Sequence, residues 1–322
     1  MVVSPGGAKL YDPLRREVDL PLRATYYPVG FRLEVATNSE NVLAACAQSW
    51  GIYCPQFERP PLELRIVTEA EGERAPEPRF RAQQHLFSIV AGPDNFAVCD
   101  LGALFGCAFV SAGTAADAAG FRWFWVEPMV YMLLAQRYVA PLHAACVARD
   151  GRGLLLAGAS GAGKSTLAFA CARAGWSYLS DDSTLLVIDS DARQAIGKPH
   201  EVRFRHDAAA LFPELAACPA GWRPNGKFGI EVPTSAFPNI RTELECRLGG
   251  VVFLERRAGA ACIAPALAGE LIARIKDGLP AYGDAVRARH NLAIEGLLPL
   301  PAYRLSYETL DDAVRLLSRL EI

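Results

Sequence analysis

The sequence predicts an α/β protein in which a strand-rich α+β domain precedes a domain of alternating strands and helices. Two observations support this prediction. Short apolar runs that alternate with polar residues dominate the first third. In the second half, an apolar strand, a glycine-rich loop and a helix follow one another. The chain has 322 residues, and at roughly 150 residues per domain this length allows two domains.

The composition is that of a folded protein, because 51% of the residues are hydrophobic and 21% are charged. Lys and Arg number 33 against 35 Asp and Glu, so no charge excess favours nucleic acid or an anionic membrane as a partner. The nine cysteines are scattered without a C-x-x-C pair, which favours a reducing compartment. We find no secretion signal at the N-terminus, and the longest apolar stretch, residues 102–113, is too short to span a bilayer. We therefore expect a cytoplasmic protein.

The first third reads as an arm followed by the α+β domain. Residues 1 to about 25 contain proline and glycine with little apolar periodicity and predict a flexible arm. The N-terminal domain follows over residues 26–136. Phe31, Leu33 and Val35 alternate as a strand does, and residues 37–40 have the spacing of a capping box that opens a helix to about Trp50. Further strands are predicted over 62–68, 84–90, 96–99 and 104–110, with a hairpin turn at residues 92–95.

The second domain is predicted over residues 137–322, after an apolar segment in which Pro128 suits the first turn of a helix. Strands and helices alternate there as an α/β core requires. The predicted strands are 143–147, 153–157, a strand ending at 179, 185–188, 201–204, 228–232 and 251–254, and the predicted helices are 166–173, 270–276 and 311–320.

Residues 158–165, Gly-Ala-Ser-Gly-Ala-Gly-Lys-Ser, match the phosphate-loop pattern G-x-x-x-x-G-K-[ST] between an apolar strand and a helix. Glycines let the backbone curl so that N–H groups surround an anion at a helix N-terminus. Lys164 would reach the β- and γ-phosphates, and the Ser165 hydroxyl would serve Mg²⁺. The predicted cofactors are therefore ATP and Mg²⁺. The predicted nucleotide-binding residues are Gly158, Ala159, Ser160, Gly161, Ala162, Gly163, Lys164, Ser165 and Thr166.

Asp181 and Asp182 end the next predicted strand, so both carboxylates should lie at the sheet edge that carries the loop. Two adjacent acids can divide the chemistry, one positioning Mg²⁺ and the other accepting a proton from an attacking hydroxyl. A surface turn that happens to contain two aspartates is the alternative. The spacing between Lys164 and Asp181 fits one helix plus one strand and favours the functional interpretation.

His143 precedes Lys164 by the reach of a β-hairpin, which would bring it beside the glycine-rich loop, although a structural histidine is the alternative. Basic residues after the Asp pair are candidates to hold the acceptor or the transferred phosphoryl group. A solvated strand face is the alternative for each. These candidates are Arg203, Arg205, His206 and Lys227.

The stretch from Leu142 to Asp182 resembles the catalytic domain of HPr kinase/phosphorylase and its related serine kinases. A histidine-bearing strand, a G-x-S-G-x-G-K-S loop and an Asp-Asp pair follow one another in that family at similar spacings. The resemblance is clear over residues 137–190 and weaker beyond. It implies a phosphate-loop α/β core of the HPr kinase/phosphoenolpyruvate carboxykinase type. The family's glycine- and arginine-rich signature after the Asp pair is missing, and residues 225–232 are at best a faint echo of it.

Carried over to this chain, the resemblance implies that Lys164 and the loop bind the phosphates. Ser165 and Asp182 would serve the metal, Asp181 would be the base on a serine hydroxyl, and His143 would support the phosphate chemistry. Asp181, His143 and Lys164 are thus the predicted catalytic residues. Family members often assemble into oligomers, so a homo-oligomer stays an open alternative.

The leading hypothesis is an ATP- and Mg²⁺-dependent kinase that acts on a serine-type hydroxyl of a protein or peptide. Two alternatives remain open at this stage. One is a nucleotide-gated binding module with slow ATPase activity, and the other is a small-molecule kinase with the same active site and a smaller acceptor.

Overall fold

The structure is a computed structural model that describes residues 18–190, 193–222, 226–279 and 283–322. The described residues form a mixed α/β fold with three sheets. The chain divides into two compact units, of which unit 1 ends at Leu133 and unit 2 is Leu134–Ile322. The predicted boundary after residue 136 falls a few residues beyond this division.

Unit 1 contains a mixed sheet of seven described strands in the order β1-β2-β3-β7-β6-β5-β4. The contacts β2–β3 and β3–β7 are parallel and the other pairs are antiparallel. The strands are β1 (Leu22–Tyr26), β2 (Phe31–Thr37), β3 (Phe57–Thr68), β4 (Arg79–Gln83), β5 (Leu86–Val90), β6 (Phe96–Asp100) and β7 (Phe105–Val110). The helices are α1 (Glu40–Trp50), α2 (Ala112–Ala116), α3 (Ala118–Phe121) and α4 (Glu127–Arg137), the last of which continues into unit 2.

The predicted strands of unit 1 are confirmed, and residues 92–95 join β5 to β6 as the expected antiparallel hairpin. Two predictions were wrong in detail. Residues 22–26 form β1 instead of belonging to an arm, while residues 1–17 lie outside the described residues. The capping box does not form, because Thr37 belongs to β2 and its Oγ1 accepts the backbone N–H of Ser39, whose own side chain makes no cap hydrogen bond. Strand β4 was not predicted.

Unit 2 contains the remaining thirteen described strands and four described α-helices. The strands are β8 (Val139–Leu142), β9 (Ala145–Arg149), β10 (Arg152–Ala157), β11 (Ser177–Ser180), β12 (Thr184–Val187), β13 (Gln194–Ile196), β14 (Glu201–Arg205), β15 (Ala220–Trp222), β16 (Phe228–Pro233), β17 (Arg241–Thr242), β18 (Glu245–Arg256), β19 (Cys262–Pro265) and β20 (Ala302–Tyr307). The helices are α5 (Lys164–Arg173), α6 (Ala268–Asp277), α7 (Asp284–Glu295) and α8 (Leu310–Leu317).

The pairing of the strands around β10 determines which strand ends lie at the same edge of the sheet. β10 pairs in parallel with β18 and antiparallel with β9, and β9 pairs antiparallel with β11. β10 and β11 therefore run in the same direction and end at the same edge of the sheet, where β9 begins. The β9–β10 pair is the hairpin expected from the position of His143. Leu154, Leu155 and Leu156 in β10 are fully buried, as a central strand with both faces covered requires.

A second sheet of unit 2, in the order β14-β16-β15, contacts α5 through β14. Phe169 of α5 makes edge-on contacts with Phe204, Phe212 and Phe237 at centroid distances of 5.1, 4.9 and 5.1 Å. Such edge-to-face pairs add to the apolar burial. This aromatic cluster ties β14 to the helix that follows the glycine-rich loop.

The remaining predictions for the second half hold, with shifted ends. Helix α5 begins at Lys164 rather than at residue 166, and the last helix ends at Leu317. Helix α7 and strands β8, β13, β15, β17, β19 and β20 were not predicted. Asn225, the first residue of the faint signature, lies outside the described residues. Within the described part of the chain, no helix is long and apolar enough to cross a membrane.

Candidate functional site

The loop of residues 158–163 joins β10 directly to α5. Gly161 and Gly163 have φ angles of 84° and 91°, a region that favours glycine. Gly158 is confined in a different way, because a Cβ there would lie 3.0 Å from Ala162 Cβ and 3.1 Å from the Leu254 carbonyl oxygen. The backbone path of the loop therefore favours glycine at positions 161 and 163, and a side chain at position 158 would require its neighbours to shift.

Lys164, the first residue of α5, turns its ammonium group back into the loop. Nζ donates to the carbonyl oxygens of Gly158 at 2.9 Å and Ala159 at 3.3 Å. The residue is only 6% exposed. Burial lowers the pKa of Lys164, and the charge of Asp182 partly opposes this effect. A cation is therefore held inside the loop, where an anion at the start of α5 would meet it.

Tyr307, at the end of β20, supports the loop from the core side. Its hydroxyl donates to the Ala162 carbonyl oxygen at 2.8 Å, and it occupies the space that a Cβ on Gly163 would need. Burial raises the pKa of Tyr307 to about 12, so the phenol keeps its proton. Sequence analysis missed this residue, because only the long-range pairing of β18 with β20 brings it to the loop.

Asp181 follows β11 and is 8% exposed. Its Oδ2 accepts the backbone N–H of Arg203 at 2.9 Å, and its carbonyl oxygen accepts the Ser165 hydroxyl at 3.2 Å. Burial raises the pKa of Asp181 to about 6, against the lowering effect of the Arg203 charge and N–H. The carboxyl group thus titrates close to neutral pH, in the range suited to a general base.

Asp182 is more exposed and has a different electrostatic setting. Its Oδ1 lies 3.0 Å from Nδ1 of His143, and both side chains are about half exposed. The hydrogen bond from His143 lowers the pKa of Asp182, as do the charges of Lys164 and Lys227, while burial acts in the opposite direction. Asp182 is therefore ionised well below neutral pH, whereas the pKa of Asp181 lies close to neutral pH.

Arg203 has carboxylate partners on its own sheet. Its guanidinium bonds to Glu201 at 3.0 Å and to Glu231 at 3.2 Å. Near the Asp pair, its backbone N–H donates to Asp181 and its charge lowers the pKa of that carboxyl group. The prediction that this guanidinium holds an acceptor stays untested, and these two glutamates would compete with an anionic acceptor for it.

Arg205 and Lys227 are placed to act on the glycine-rich loop and on Asp182. Arg205 Nη2 is 3.8 Å from the position that a Cβ on Gly161 would take, so the guanidinium borders the loop. Lys227 is exposed, and its charge acts on Asp182. His206 instead lies beside Phe228, with ring centroids 5.9 Å apart.

The residues predicted to serve a metal offer oxygen donors in adjoining positions. Ser165 hydrogen-bonds the main chain at Asp181, immediately before Asp182. Within the described ranges, no three His, Cys, Asp or Glu side chains form a metal-binding group. Mg²⁺ is commonly held by one or two protein oxygens together with phosphate oxygens and water, so the donor set fits a metal that arrives with a nucleotide.

The fold thus brings together most of the predicted site residues. The loop, Lys164, Ser165, both aspartates and His143 meet at one edge of the large sheet, because β9, β10 and β11 place their ends there. Arg205 and Lys227 border this group from the smaller sheet. Glu201, Glu231 and Tyr307 were not anticipated, and no local sequence signal marks them.

A family model matches part of this chain, and solved structures are similar to it. The family model described as SynChlorMet cassette protein ScmC matches residues 112–199, less than a third of the chain. No curated protein matches the chain. Among solved structures, the HPr(Ser) kinase/phosphatase from Coxiella burnetii is similar at 10% identity, with 55% of this chain and 91% of that chain covered and a TM-score of 0.30.

Proposed function

We propose that this chain is an ATP- and Mg²⁺-dependent kinase that transfers the γ-phosphate to a serine-type hydroxyl of a protein or peptide. One observation carries the proposal. A buried lysine inside a glycine-rich loop, a serine hydroxyl and two aspartates with different pKa directions meet at a single sheet edge. The catalytic region in this proposal is residues 137–322.

Donor binding would use the start of α5. The loop backbone and the helix N-terminus favour the phosphate chain, and Lys164 would exchange its carbonyl partners for β- and γ-phosphate oxygens. Thr166 lies in the first turn of α5. Ser165 and Asp182 would hold Mg²⁺, which neutralises phosphate charge when bound.

Transfer would use Asp181 as the base. The acceptor hydroxyl gives its proton to the Asp181 carboxylate, its oxygen forms a bond to the γ-phosphorus, and the bond from that phosphorus to the β-γ bridging oxygen breaks, leaving ADP. A pKa of about 6 leaves Asp181 ionised at neutral pH while it stays basic enough to accept a proton. His143 would orient Asp182 through their 3.0 Å contact. Arg205 and Lys227 would stabilise charge on the transferred group or its acceptor.

The experiment is transfer of label from γ-labelled ATP with Mg²⁺ and a fractionated extract of the source cells. Label should appear on a discrete protein or peptide and be lost in Lys164→Ala and Asp181→Asn. Asp181→Asn should still bind ATP, because the loop is unchanged. Asp150→Asn is the matched control, since Asp150 is an exposed carboxylate on the β9–β10 turn with a side chain 94% exposed. Loss of ATP binding in Asp181→Asn would contradict the base assignment.

A nucleotide-gated binding module is the second candidate. It is favoured by one specific observation, an uncovered apolar surface on the sheet of unit 1. Release of free phosphate without any labelled acceptor would favour it. Label on a metabolite instead of a polypeptide would identify a small-molecule kinase.

A further inference from the structure

The sheet of unit 1 leaves a cluster of large apolar side chains uncovered. Residues on alternate positions of β5, β6 and β7 share one surface, which we call the outer face. Its apolar members are Leu86, Val90, Phe96, Val98, Phe105, Cys107 and Phe109, and the polar residues Ser88 and Asp100 lie among them. Leu86 and Val90 are each 43% exposed, and Phe96 and Val98 are 39% and 37% exposed. Clustered exposure of this kind marks interaction surfaces, whereas single exposed apolar residues are ordinary.

The outer face ends at β4, an edge strand. β4 pairs only with β5 among the described strands, and all five of its residues are exposed. An edge strand presents unpaired backbone N–H and C=O groups along one side. A further strand can therefore be added to the sheet here and would extend the outer face.

The charges on β4 discriminate between occupants of this edge. Arg79 and Arg81 point to the outer face, in register with Val90 and Ser88. Neither forms an ion pair with another described residue. Two pairings of β4 with a second copy are unfavourable. Antiparallel pairing of two β4 strands centred on Arg81 puts two arginines opposite each other. Pairing centred on Phe80 sets Arg79 against Arg81, and like charges in directly opposite positions destabilise a sheet.

An acidic strand would hydrogen-bond to the unpaired backbone groups of β4 and place negative charges beside its two arginines. Carboxylates at alternate positions would face Arg79 and Arg81, and apolar residues between them would lie beside Phe80 and Ala82. Phe80 is 45% exposed and stacks on Phe87 at a centroid distance of 6.1 Å. We propose that the open edge of β4 binds an extended segment of a partner protein in which acidic and apolar residues alternate. This proposal is independent of the proposed kinase activity.

The test uses the full chain and two synthetic probes, acetyl-Glu-Val-Glu-Val-Glu-Val-Glu-amide and the same peptide with Lys for Glu. Binding is measured by fluorescence anisotropy of labelled peptides. Wild-type protein should bind the Glu peptide at least about tenfold more tightly than the Lys peptide. The double variant Arg79→Glu/Arg81→Glu should reverse this order. Hydrogen exchange should show protection of β4 amides by the Glu peptide in the wild-type protein.

Arg23→Glu is the matched control, because Arg23 is an exposed arginine on β1, the opposite edge of the same sheet. It should leave the preference for the Glu peptide unchanged. The proposal is overturned by equal binding of both peptides, by no binding up to about 1 mM, or by protection elsewhere than β4. A wild-type dimer in sedimentation that Arg79→Glu/Arg81→Glu alters would also overturn it, because a second copy would then occupy the edge.

Discussion

At the scale of single residues, one side chain outside the loop controls the loop's shape. Tyr307 donates to the Ala162 carbonyl and fills the space that Gly163 leaves. The tyrosine is 1% exposed, so its hydrogen bond is shielded from bulk solvent. The loop path therefore depends on a contact made across the core as well as on the glycines within it.

Tyr307→Phe should test this dependence. The change leaves the Ala162 carbonyl without its donor, and we expect a loss of about 1–2 kcal/mol in the free energy of unfolding. ATP affinity should fall several-fold, because the loop loses a fixed point. Chemical denaturation and calorimetric titration measure the two effects. Tyr303→Phe, on the same strand and partly buried, is the control and should change neither. Unchanged ATP affinity in Tyr307→Phe would show that the loop holds its shape without the hydroxyl.

The two aspartates should respond to pH with opposite signs. Burial raises the pKa of Asp181 to about 6 in the folded state, so the folded protein binds more protons than the unfolded chain between about pH 4 and pH 6. Stability from this group therefore falls as pH rises through that window. Asp181→Asn should stabilise the protein at neutral pH by on the order of 2–3 kcal/mol, and the gain should shrink as the pH is lowered.

Asp182→Asn is the contrasting variant. The His143 contact lowers the pKa of Asp182, so its ionised form contributes stability at neutral pH that is lost as pH falls through the lowered pKa. This variant should be destabilised near neutral pH. Chemical denaturation of the wild-type protein and both variants in EDTA over pH 4–8 shows whether each substitution raises or lowers the free energy of unfolding. A stabilised Asp182→Asn or a destabilised Asp181→Asn at neutral pH would contradict the electrostatic assignment.

The sequence predicted those site residues that lie in one short segment or in neighbouring elements, and it missed those brought to the site by distant pairing. The glycines, Lys164 and Ser165 form one contiguous segment between a strand and a helix, so their pattern can be recognised without knowledge of the fold. Asp181 and His143 required only the adjacent strand and hairpin. Tyr307 lies far along the chain, and its position depends on a parallel pairing that no local pattern encodes.

At the scale of elements, β10 is a central strand with a demanding glycine. A Cβ on Gly153 would collide with the Cys246 sulfur and lie 3.4 Å from that of Cys146. The two sulfurs are 3.7 Å apart and both residues are buried. The absence of a side chain at Gly153 therefore lets β9 and β18 bring these thiols together beside β10.

Gly153→Ala should destabilise the protein by about 1–3 kcal/mol, because the added methyl overpacks this part of the core. Gly269→Ala is the matched control. Gly269 lies in the first turn of α6, and a Cβ there would meet no atom within 4 Å. The control should be neutral or more stable by up to about 1 kcal/mol. Urea denaturation measures the free energy of unfolding of both variants. Equal effects of the two substitutions would show that Cys146 and Cys246 move apart to accommodate the added methyl group.

In the sheet of unit 1, strand prediction succeeded where burial imposed a period and failed where it did not. Strands β5, β6 and β7 alternate between a buried face and a partly exposed face, and their sequences show it. Strand β4 is exposed along its whole length, so no apolar alternation was present to read. The capping box was wrong because Thr37 completes β2 before the helix begins.

At the scale of the whole molecule, the kinase proposal and the gated-module alternative differ in what nucleotide does to unit 1. The kinase needs bound nucleotide only at the loop, Lys164 and the Asp pair, all in unit 2. A gated module requires the sheet of unit 1 to change its exchange behaviour when nucleotide binds. Composition and motifs predicted two domains. They do not indicate whether nucleotide binding changes the sheet of unit 1, because such coupling depends on free-energy differences between conformational states.

Amide hydrogen exchange with and without MgATP separates the two. A ligand at about 100 times its Kd stabilises the state that binds it by about 2.7 kcal/mol, so amides of β10 and α5 that exchange through unfolding of unit 2 should slow by about a hundredfold. The kinase proposal expects unchanged exchange in β4, β5 and β6. Lys164→Ala should abolish the protection, since it removes the buried cation of the loop. Altered exchange in β4, β5 and β6 that requires MgATP and disappears in Lys164→Ala would instead establish coupling between the nucleotide site and the sheet of unit 1.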